Sequence, residues 1–454
     1  MTRLFIVFLI YFIGKKQTVK EELPLANDFN GKLTFVDLFA GCGGLSLGLE
    51  FAGFHPIYVN ELNTDALETY LINRDRNYPH LRNKFHSRDI KEMLMREGYL
   101  SDLLDQFKRD FKRDFRRDTV DLIVGGPPCQ GFSGIGHRRN YAVEKANIPS
   151  NHLFQDMAKV IEFVRPKMFL FENVEGLLRS RWTNRGTKGE VFNDVFHTFR
   201  SLLEYSVKFK LVFAKDYGVP QNRPRLVIIG VRSDLLWLDD STQDAFEAGL
   251  LPPISKNFPD LEDILSDLID ENFSYGGHTL TYPHSAKNDL QRYFRRQQGT
   301  EFIAKKGSPI SEHQYSNHSA RVIERFNYMI KNDGRIPEHL QTKKFAQRVL
   351  PRKWEESSPN ITACSVADDF VHFSQPRSLT VREWARIQTF PDWYQFAGKR
   401  TTGGLRRAGN PVEGIFEREV PKYTQIGNAV PVKLAYEIGC HFHQILVGRA
   451  HAAA

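Results

Sequence analysis

The chain has few cysteines, and they are scattered. Its 454 residues include four of them, Cys42, Cys129, Cys364 and Cys440. No two form a Cys-x-x-Cys pair, so the sequence predicts neither a disulfide framework nor a zinc or other metal site. This cysteine usage is typical of a reducing compartment, and we expect a cytoplasmic protein.

The sequence also lacks the features of a membrane or secreted protein. The N-terminal apolar run at residues 4–13 is too short to cross a bilayer. Gly-Lys-Lys follows it in place of a small-residue cleavage site, which argues against a signal peptide. We therefore interpret residues 1–30 as an N-terminal extension, and we expect no membrane partner.

Charge of one sign is only slightly in excess. The net charge of +8 favours a polyanionic partner, but over this length it indicates nucleic acid only weakly. With 41% hydrophobic residues, the chain has enough apolar sequence for a globular protein of two or three domains.

The stretch from Val120 to Ser133, VDLIVGGPPCQGFS, carries the strongest chemical signal. Its first half predicts a buried strand that ends at Gly125 and Gly126. Cys129 follows in a loop stiffened by two prolines, and glycines on both sides allow another molecule to come close. A thiol just past a strand end faces the crevice where α/β sheets bind ligands, so Cys129 is a candidate nucleophile. The alternative is a buried structural cysteine in a tight turn.

Two segments near the start predict a nucleoside site. Residues 33–54 have the pattern of a strand, a turn with glycines at 41, 43 and 44, and a helix, although such a turn is often merely structural. The next strand ends with Glu61, which is placed to accept hydrogen bonds from ribose hydroxyls. Asp89, near the end of a third strand, could bind an adenine amino group, and a helix N-cap is the alternative.

Two later segments supply further candidates for the pocket. A helix from about Leu153 to Val164 precedes a strand with Glu172 at its carboxyl end, where the residue can face the pocket of Cys129 or cap a helix. Residues 208–232 predict a hairpin whose loop carries Arg223 and Arg225. Because these arginines stand two residues apart on an extended segment, we expect them to point at one target, a phosphate or a base carbonyl.

Two charged segments complete the first domain. The repeat at residues 106–118, QFKRDFKRDFRRD, predicts a solvated helix that packs by Phe107, Phe111 and Phe115, with a nucleic-acid contact as the alternative. The polar, glycine-containing segment after Ser133 carries Arg138 and Arg139, and it could close over a substrate and contact phosphates.

Beyond residue 232 the alternation of strands and helices stops. Residues 233–376 mix basic clusters with Tyr, Phe and Trp, which predicts a second, smaller and irregular domain with a nucleic-acid surface or an ordinary solvated face. In residues 377–450, Thr380 stands three residues before Glu383 as in a capping box, and a C-terminal helix follows. This part is interpreted as a return to the catalytic domain of residues 31–232.

Taken together, these stretches resemble the DNA (cytosine-5) methyltransferases, over about residues 33–445. The matching stretches, in the order of the family, are DLFAGCGG, NEL, RDI, GGPPCQGFS, ENV, QNRPR, RSLTVREWARIQTFPD and QIGNAVP. The resemblance implies an α/β fold with a Rossmann-like, S-adenosylmethionine-binding sheet and a smaller, irregular target recognition domain at residues 233–376.

The resemblance also assigns site residues. It implies Cys129 as the nucleophile, Glu172 as the catalytic acid, Arg225 on the base carbonyl and Arg223 as a brace of the loop. The implied cofactor site comprises Phe39, Gly41, Gly43, Gly44, Glu61, Leu62, Asp89, Ile90, Pro128, Leu153 and Asn428. The implied DNA contacts comprise Gln130, Ser133, Arg138 and Arg139.

The chemistry of these residue types suits methylation of a flipped-out cytosine. Carbon 5 of cytosine is a weak nucleophile until a thiolate adds at carbon 6, and a protonated carboxyl can then stabilise charge at nitrogen 3. We expect a monomeric enzyme of restriction-modification type that acts on double-stranded DNA, with a cognate restriction endonuclease as a possible partner. The alternatives are a tRNA cytosine-5 methyltransferase and a non-catalytic DNA-binding pseudoenzyme.

Overall fold

A computed structural model describes residues 6–8, 19–21, 29, 31–115, 119–128, 144–235, 238, 241–255, 257–341, 347–354, 359–361, 369–402 and 419–450. Within these ranges, two short strands, β1 (Ile6–Phe8) and β2 (Val19–Glu21), pair with each other in antiparallel fashion. Most of the N-terminal apolar run and the predicted Cys129 loop beyond Pro128 lie outside the described residues.

A seven-stranded sheet forms the centre of the fold, in the order β5-β4-β3-β6-β7-β9-β8. Its strands are β3 (Leu33–Leu38), β4 (Phe54–Asn60), β5 (His86–Ser87), β6 (Leu122–Gly125), β7 (Met168–Val174), β8 (Tyr205–Phe213) and β9 (Pro224–Arg232). The strands from β5 to β7 pair in parallel, whereas β9 runs antiparallel to both of its neighbours. The prediction of an α/β sheet is therefore confirmed.

Helices cover both faces of this sheet, which is why its central strands read as continuous apolar runs. The helices are α1 (Gly44–Phe51), α2 (Thr64–Ile72), α3 (Pro79–Asn83), α4 (Ile90–Met95), α5 (Tyr99–Phe111), α6 (Leu153–Val164), α7 (Glu190–Arg200), α8 (Leu261–Leu265), α9 (Asp289–Arg295), α10 (Ala320–Lys331), α11 (Val381–Ile387), α12 (Lys422–Asn428) and α13 (Val432–Ala450). Short 3₁₀ turns lie at Lys145–Asn147, Pro149–His152, Glu175–Arg179, Ala214–Tyr217, Ser266–Leu268 and Glu338–Leu340. Residues of α4 to α7 share one apolar core, and residues of α1 and α13 share the core on the other face.

The helix predicted over residues 106–118 is shorter in the structure, since α5 ends at Phe111. Lys112 takes a left-handed conformation with φ of 53°, which stops the helix. Arg113 then turns inward, where it donates to Lys32 O and pairs with Asp121 at 3.3 Å. Phe115 is nevertheless buried beside Phe107, so the prediction of an apolar phenylalanine edge is correct although its helical extent is wrong.

The smaller region after residue 232 has little regular structure among its described residues. It contains α8, α9, α10 and a two-residue parallel pair between β10 (Arg348–Val349) and β11 (Phe370–Val371). A buried charge cluster joins it to α11 and the turn that follows: Asp267 pairs with Arg295 and Arg386, and Arg386 also pairs with Asp392. The predicted capping box of Thr380 and Glu383 begins α11.

In the part of the chain that the structure describes, no helix combines the length and the apolar character needed to cross a membrane.

Candidate active site

The turn after β3 has one face against protein and one face open. Phe39, Gly41 and Gly43 all have positive φ, at 60°, 55° and 83°, so this tight turn favours glycine at two of its positions. A Cβ added to Gly41 would meet nothing within 4 Å, whereas at Gly44 it would collide with the backbone of Val430. The open side at Gly41 is the side on which a ligand can approach the backbone.

Glu61 follows β4 and holds this turn. One carboxylate oxygen accepts from Gly41 N at 2.8 Å, and the other accepts from Asn63 N at 2.7 Å. Burial raises the pKa of Glu61, and these two backbone donors oppose the rise. Leu62, the next residue, is 60% exposed and offers an apolar surface beside the carboxylate.

Asp89 lies at the beginning of α4, where its side chain accepts from Lys91 N at 2.9 Å. The interpretation of Asp89 as a helix N-cap is therefore correct, and its contact with adenine stays a prediction. Arg88 donates twice to Leu62 O, at 3.1 and 2.8 Å, which ties the end of β4 to the loop that carries Asp89.

The structure places the remaining predicted cofactor residues on several elements. Ile90 is buried in the core that spans α4 to α7, and Phe39 and Leu153 pack against that core. Asn428 is exposed at the end of α12, and the side chain of the following residue, Ala429, lies against Gly44. Pro128 is exposed at the last described position of the loop.

These residues fit S-adenosylmethionine. Carboxylates follow β4 and β5, an open glycine turn follows β3, and apolar side chains lie nearby. This arrangement suits a molecule with ribose hydroxyls and an adenine ring. When bound, such a group supplies a sulfonium methyl that a carbon nucleophile can attack.

Glu172 lies near the end of β7, beside the loop that follows β6. A Cβ added to Gly126 would lie 2.9 Å from Glu172 Oε2, so the glycine makes room for the carboxylate. Asn173 Nδ2 donates to Pro127 O at 3.2 Å, which anchors the described start of the loop. As predicted, the parallel pairing of β6 and β7 brings Glu172 to the edge from which the Cys129 loop departs. Cys129 itself lies outside the described residues, as do Gln130, Ser133, Arg138 and Arg139.

Glu172 and Arg225 form a nearly buried ion pair. Arg225 Nε lies 2.5 Å from Glu172 Oε1, and the two side chains are 9% and 13% exposed. Burial raises the pKa of Glu172, and the charges of Arg225 and Arg223 oppose that rise. The pair thus places a titratable carboxyl and a fixed cation side by side.

Arg223 binds different partners from Arg225. Its guanidinium donates to Ile361 O and, at 2.6 Å, to Gly427 O. The expectation that the two arginines share one target is therefore wrong, because Arg223 lies in the loop before β9 begins at Pro224. Burial lowers the pKa of Arg223 well below its usual range, and the neighbouring charge of Arg225 adds to this effect.

Gln388 is a structural residue of the site that the sequence analysis did not single out. Its Oε1 accepts from Gln221 Nε2 at 2.7 Å, and its own Nε2 donates to Ile426 O and Ala429 O. It thereby joins the loop of Gln221 and Arg223, called the arginine loop, to the segment of Asn428. The signal was its place within the stretch RSLTVREWARIQTFPD, which is one of the motifs already noted.

Cys42 can be set aside as a reacting thiol. It is buried, donates to Gln425 O at 3.4 Å, and burial raises its pKa to about 12. A thiol with so high a pKa carries almost no thiolate at neutral pH.

The raised pKa of Glu172 leads to a prediction on pH dependence. A carboxyl that must donate a proton works below its pKa, so its contribution to the rate is lost as pH rises through that pKa. We expect Glu172→Gln to lower kcat by about 10²-fold and to remove the alkaline limb, since an amide does not titrate. The measurement is kcat from pH 6 to 10, with cofactor and DNA saturating; an unchanged alkaline limb in the variant would contradict this role.

The fold and the site together define an S-adenosylmethionine-dependent methyltransferase. The model of the family described as C-5 cytosine-specific DNA methylase matches residues 33–443. The chain therefore belongs to the C-5 cytosine-specific DNA methylase family, and the predicted activity of a DNA (cytosine-5) methyltransferase with S-adenosylmethionine as cofactor is confirmed.

Individual relatives agree with this family. The chain is 32% identical over 422 residues to the Type II methyltransferase M.DdeI of Desulfomicrobium norvegicum, covering 89% of this chain and 86% of the relative. It is 29% identical over 410 residues to the Type II methyltransferase M1.HphI of Haemophilus parahaemolyticus, covering 89% and 85%. A solved DNA modification methyltransferase encoded within an Escherichia coli prophage has the same fold, with a TM-score of 0.61, 24% identity, and coverage of 91% of this chain and 99% of that one.

Proposed function

We propose that the chain methylates one cytosine within a specific site of double-stranded DNA, through a transient bond to Cys129. The observation that carries this proposal is the ion pair of Glu172 and Arg225 beside Gly126 and Pro127. An acid and a cation beside the start of a cysteine loop are what activation of a pyrimidine at carbon 6 requires.

The first step is attack of the Cys129 thiolate on carbon 6 of the flipped-out base. The ring double bond opens, and negative charge develops towards nitrogen 3, where protonated Glu172 donates. Arg225 is assigned to the base carbonyl at position 2, and Arg223 keeps the arginine loop in place through its two backbone acceptors. Carbon 5 then carries the electron pair that would attack the methyl group of a bound sulfonium, with the neutral thioether as the leaving group.

The last steps restore the ring. The proton on carbon 5 leaves to a base, and the electrons of that bond re-form the double bond between carbons 5 and 6. The Cys129 sulfur departs as thiolate with the electrons of its bond to carbon 6, and the proton on nitrogen 3 returns to Glu172. Flipping the base out of the helix costs a few kcal/mol. Gln130, Ser133, Arg138, Arg139 and the target recognition domain at residues 233–376 are assigned to the DNA contacts that offset this cost.

The biological setting belongs to the same proposal. Relatives named as Type II methyltransferases support a role in a restriction-modification system, in which methylation protects host DNA from a cognate endonuclease that cleaves the same site. We further propose that the enzyme acts as a monomer in the cytoplasm.

The choice between DNA and tRNA can be tested by methyl transfer from radiolabelled S-adenosylmethionine. We expect incorporation into mixed-sequence duplex DNA, recovered as 5-methylcytosine after digestion, and none above background into total tRNA. Labelling of tRNA alone would replace the proposal by the tRNA alternative. Binding to DNA without labelling of either substrate would indicate the pseudoenzyme.

A further inference from the structure

Two residues far from the glycine turn in sequence support its protein face. Tyr394 Oη donates to Cys42 O at 2.5 Å, and Arg74 Nη2 donates to Gly43 O at 3.3 Å. Arg74 Nη1 also donates to Tyr394 Oη at 3.2 Å, so the two side chains support each other. Two successive carbonyl groups of the turn are thus held by one connected pair.

This support is rigid because it is buried and charge-paired. Arg74 is 1% exposed and Tyr394 is 0% exposed. Glu50 of α1 pairs with Arg74 at 2.6 Å, and Tyr70 O accepts a further bond at 2.9 Å. A buried guanidinium is costly unless its donors are satisfied, so its position has little freedom.

The turn fits closely onto these side chains. A Cβ added to Gly43 would lie 2.8 Å from Arg74 Nη1, 2.8 Å from Tyr70 Cδ2 and 2.9 Å from Tyr394 Oη. Gly41, by contrast, faces open space. Arg74 and Tyr394 therefore contact the turn on the side opposite to the one that a ligand can approach.

Tyr394 comes from the segment that follows α11, and that segment is fixed independently of the tyrosine hydroxyl. Asn73 and Gln395 exchange two hydrogen bonds of 2.9 Å, and Ala397 N donates to Thr69 Oγ1 at 2.8 Å. The phenol ring also packs against Phe390 and Phe396. Removal of the hydroxyl alone should consequently leave the segment in place.

We propose that Tyr394 and Arg74 are positioning residues for cofactor binding: they hold the turn at Cys42 and Gly43 in the shape that S-adenosylmethionine binds. The inference rests on the assignment of the cofactor site to the turn and Glu61. Neither residue touches the ligand face, so their effect passes through the backbone of the turn.

The test compares Tyr394→Phe with Tyr205→Phe in the full-length enzyme. Tyr205 is a matched control, because its buried hydroxyl also donates to a backbone carbonyl, Pro166 O at 2.7 Å, but far from the turn. Tyr394→Phe should weaken S-adenosylmethionine binding about tenfold in isothermal titration calorimetry, the effect of one hydrogen bond. The KM for DNA and kcat at saturating cofactor should stay within about twofold, and Tyr205→Phe should leave cofactor affinity unchanged.

Arg74→Lys is a second variant, measured by the same cofactor titration. A lysine keeps the charge but cannot make the forked contacts to Gly43 O, Tyr394 and Glu50, so its cofactor Kd should rise at least as much. Wild-type affinity in both Tyr394→Phe and Arg74→Lys would overturn the proposal, as would an equal loss in Tyr205→Phe. Glu61→Ala distinguishes failure of the positioning role from failure of the cofactor-site assignment. Unchanged cofactor affinity in Glu61→Ala would overturn the assignment of the cofactor site itself.

Discussion

Replacing Cys129 with alanine is expected to lower methyl transfer by about 10⁴-fold or more while leaving S-adenosylmethionine binding intact. Without the sulfur, carbon 5 of cytosine is never activated, and removal of a covalent nucleophile has effects of this order in other enzymes. Cofactor affinity should be unaffected, because a direct hydrogen bond from Gly41 N to the Glu61 carboxylate holds the turn. The measurements are initial rates on duplex DNA and a cofactor titration by calorimetry.

The control for this variant is Cys440→Ala, which removes a thiol from α13, and it should keep near-wild-type activity. A Cys129→Ala enzyme that still methylates at the normal rate would disprove the nucleophile assignment. The same pair of variants can be tested with duplex containing 5-fluorocytosine. Since fluorine cannot leave as a proton does, the wild type and Cys440→Ala should stay attached to this DNA in a denaturing gel, and Cys129→Ala should not.

The second large effect is expected at Asp267, in the buried charge cluster. Its carboxylate contacts Arg295 Nη2 at 2.5 Å and Arg386 Nη1 at 2.6 Å, and all three side chains are 0% exposed. In Asp267→Asn both guanidinium groups lose a buried counter-charge, although Asp392 still pairs with Arg386. Breaking a buried ion pair from one side costs about 3–5 kcal/mol, so we expect the free energy of unfolding to fall by that amount.

Urea unfolding of the variant, followed by tryptophan fluorescence, measures this loss. The matched control is Asp234→Asn, because Asp234 pairs with Arg232 at 2.7 Å but is 62% exposed, and solvent-exposed pairs contribute about 1 kcal/mol or less. Equal stability of Asp267→Asn and Asp234→Asn would show that the cluster contributes little to the fold.

Local patterns in the sequence were sufficient for much of the fold. The helix at Leu153–Val164 was predicted with both ends correct, because its apolar spacing and the buried strand after it are local signals. The predicted helix over residues 106–118 was too long, because the repeat continues past Lys112, where the chain turns left-handed and Arg113 contacts Lys32 and Asp121. Such long-range contacts leave no periodic trace.

In the candidate site, too, some residues could be predicted from local sequence and others could not. Glu61 could be placed from the strand that precedes it and Glu172 from the strand that carries it, since the end of a strand determines where nearby side chains lie. Arg74 and Tyr394 could not, because they are separated by 320 positions and meet only once the chain has returned from the smaller region. The different partners of Arg223 and Arg225 likewise depend on where β9 begins.

The antiparallel direction of β9 determines which of its residues lies beside Glu172. Because β9 enters the sheet at the edge where β7 leaves it, its second residue, Arg225, lies opposite Val174, and Val227 lies opposite Glu172. A strand of the usual direction would bring Arg232 to this edge instead. A slip of β9 by one residue against β7 would turn its side chains to the other face of the sheet, and the Arg225 guanidinium would leave the Glu172 carboxylate.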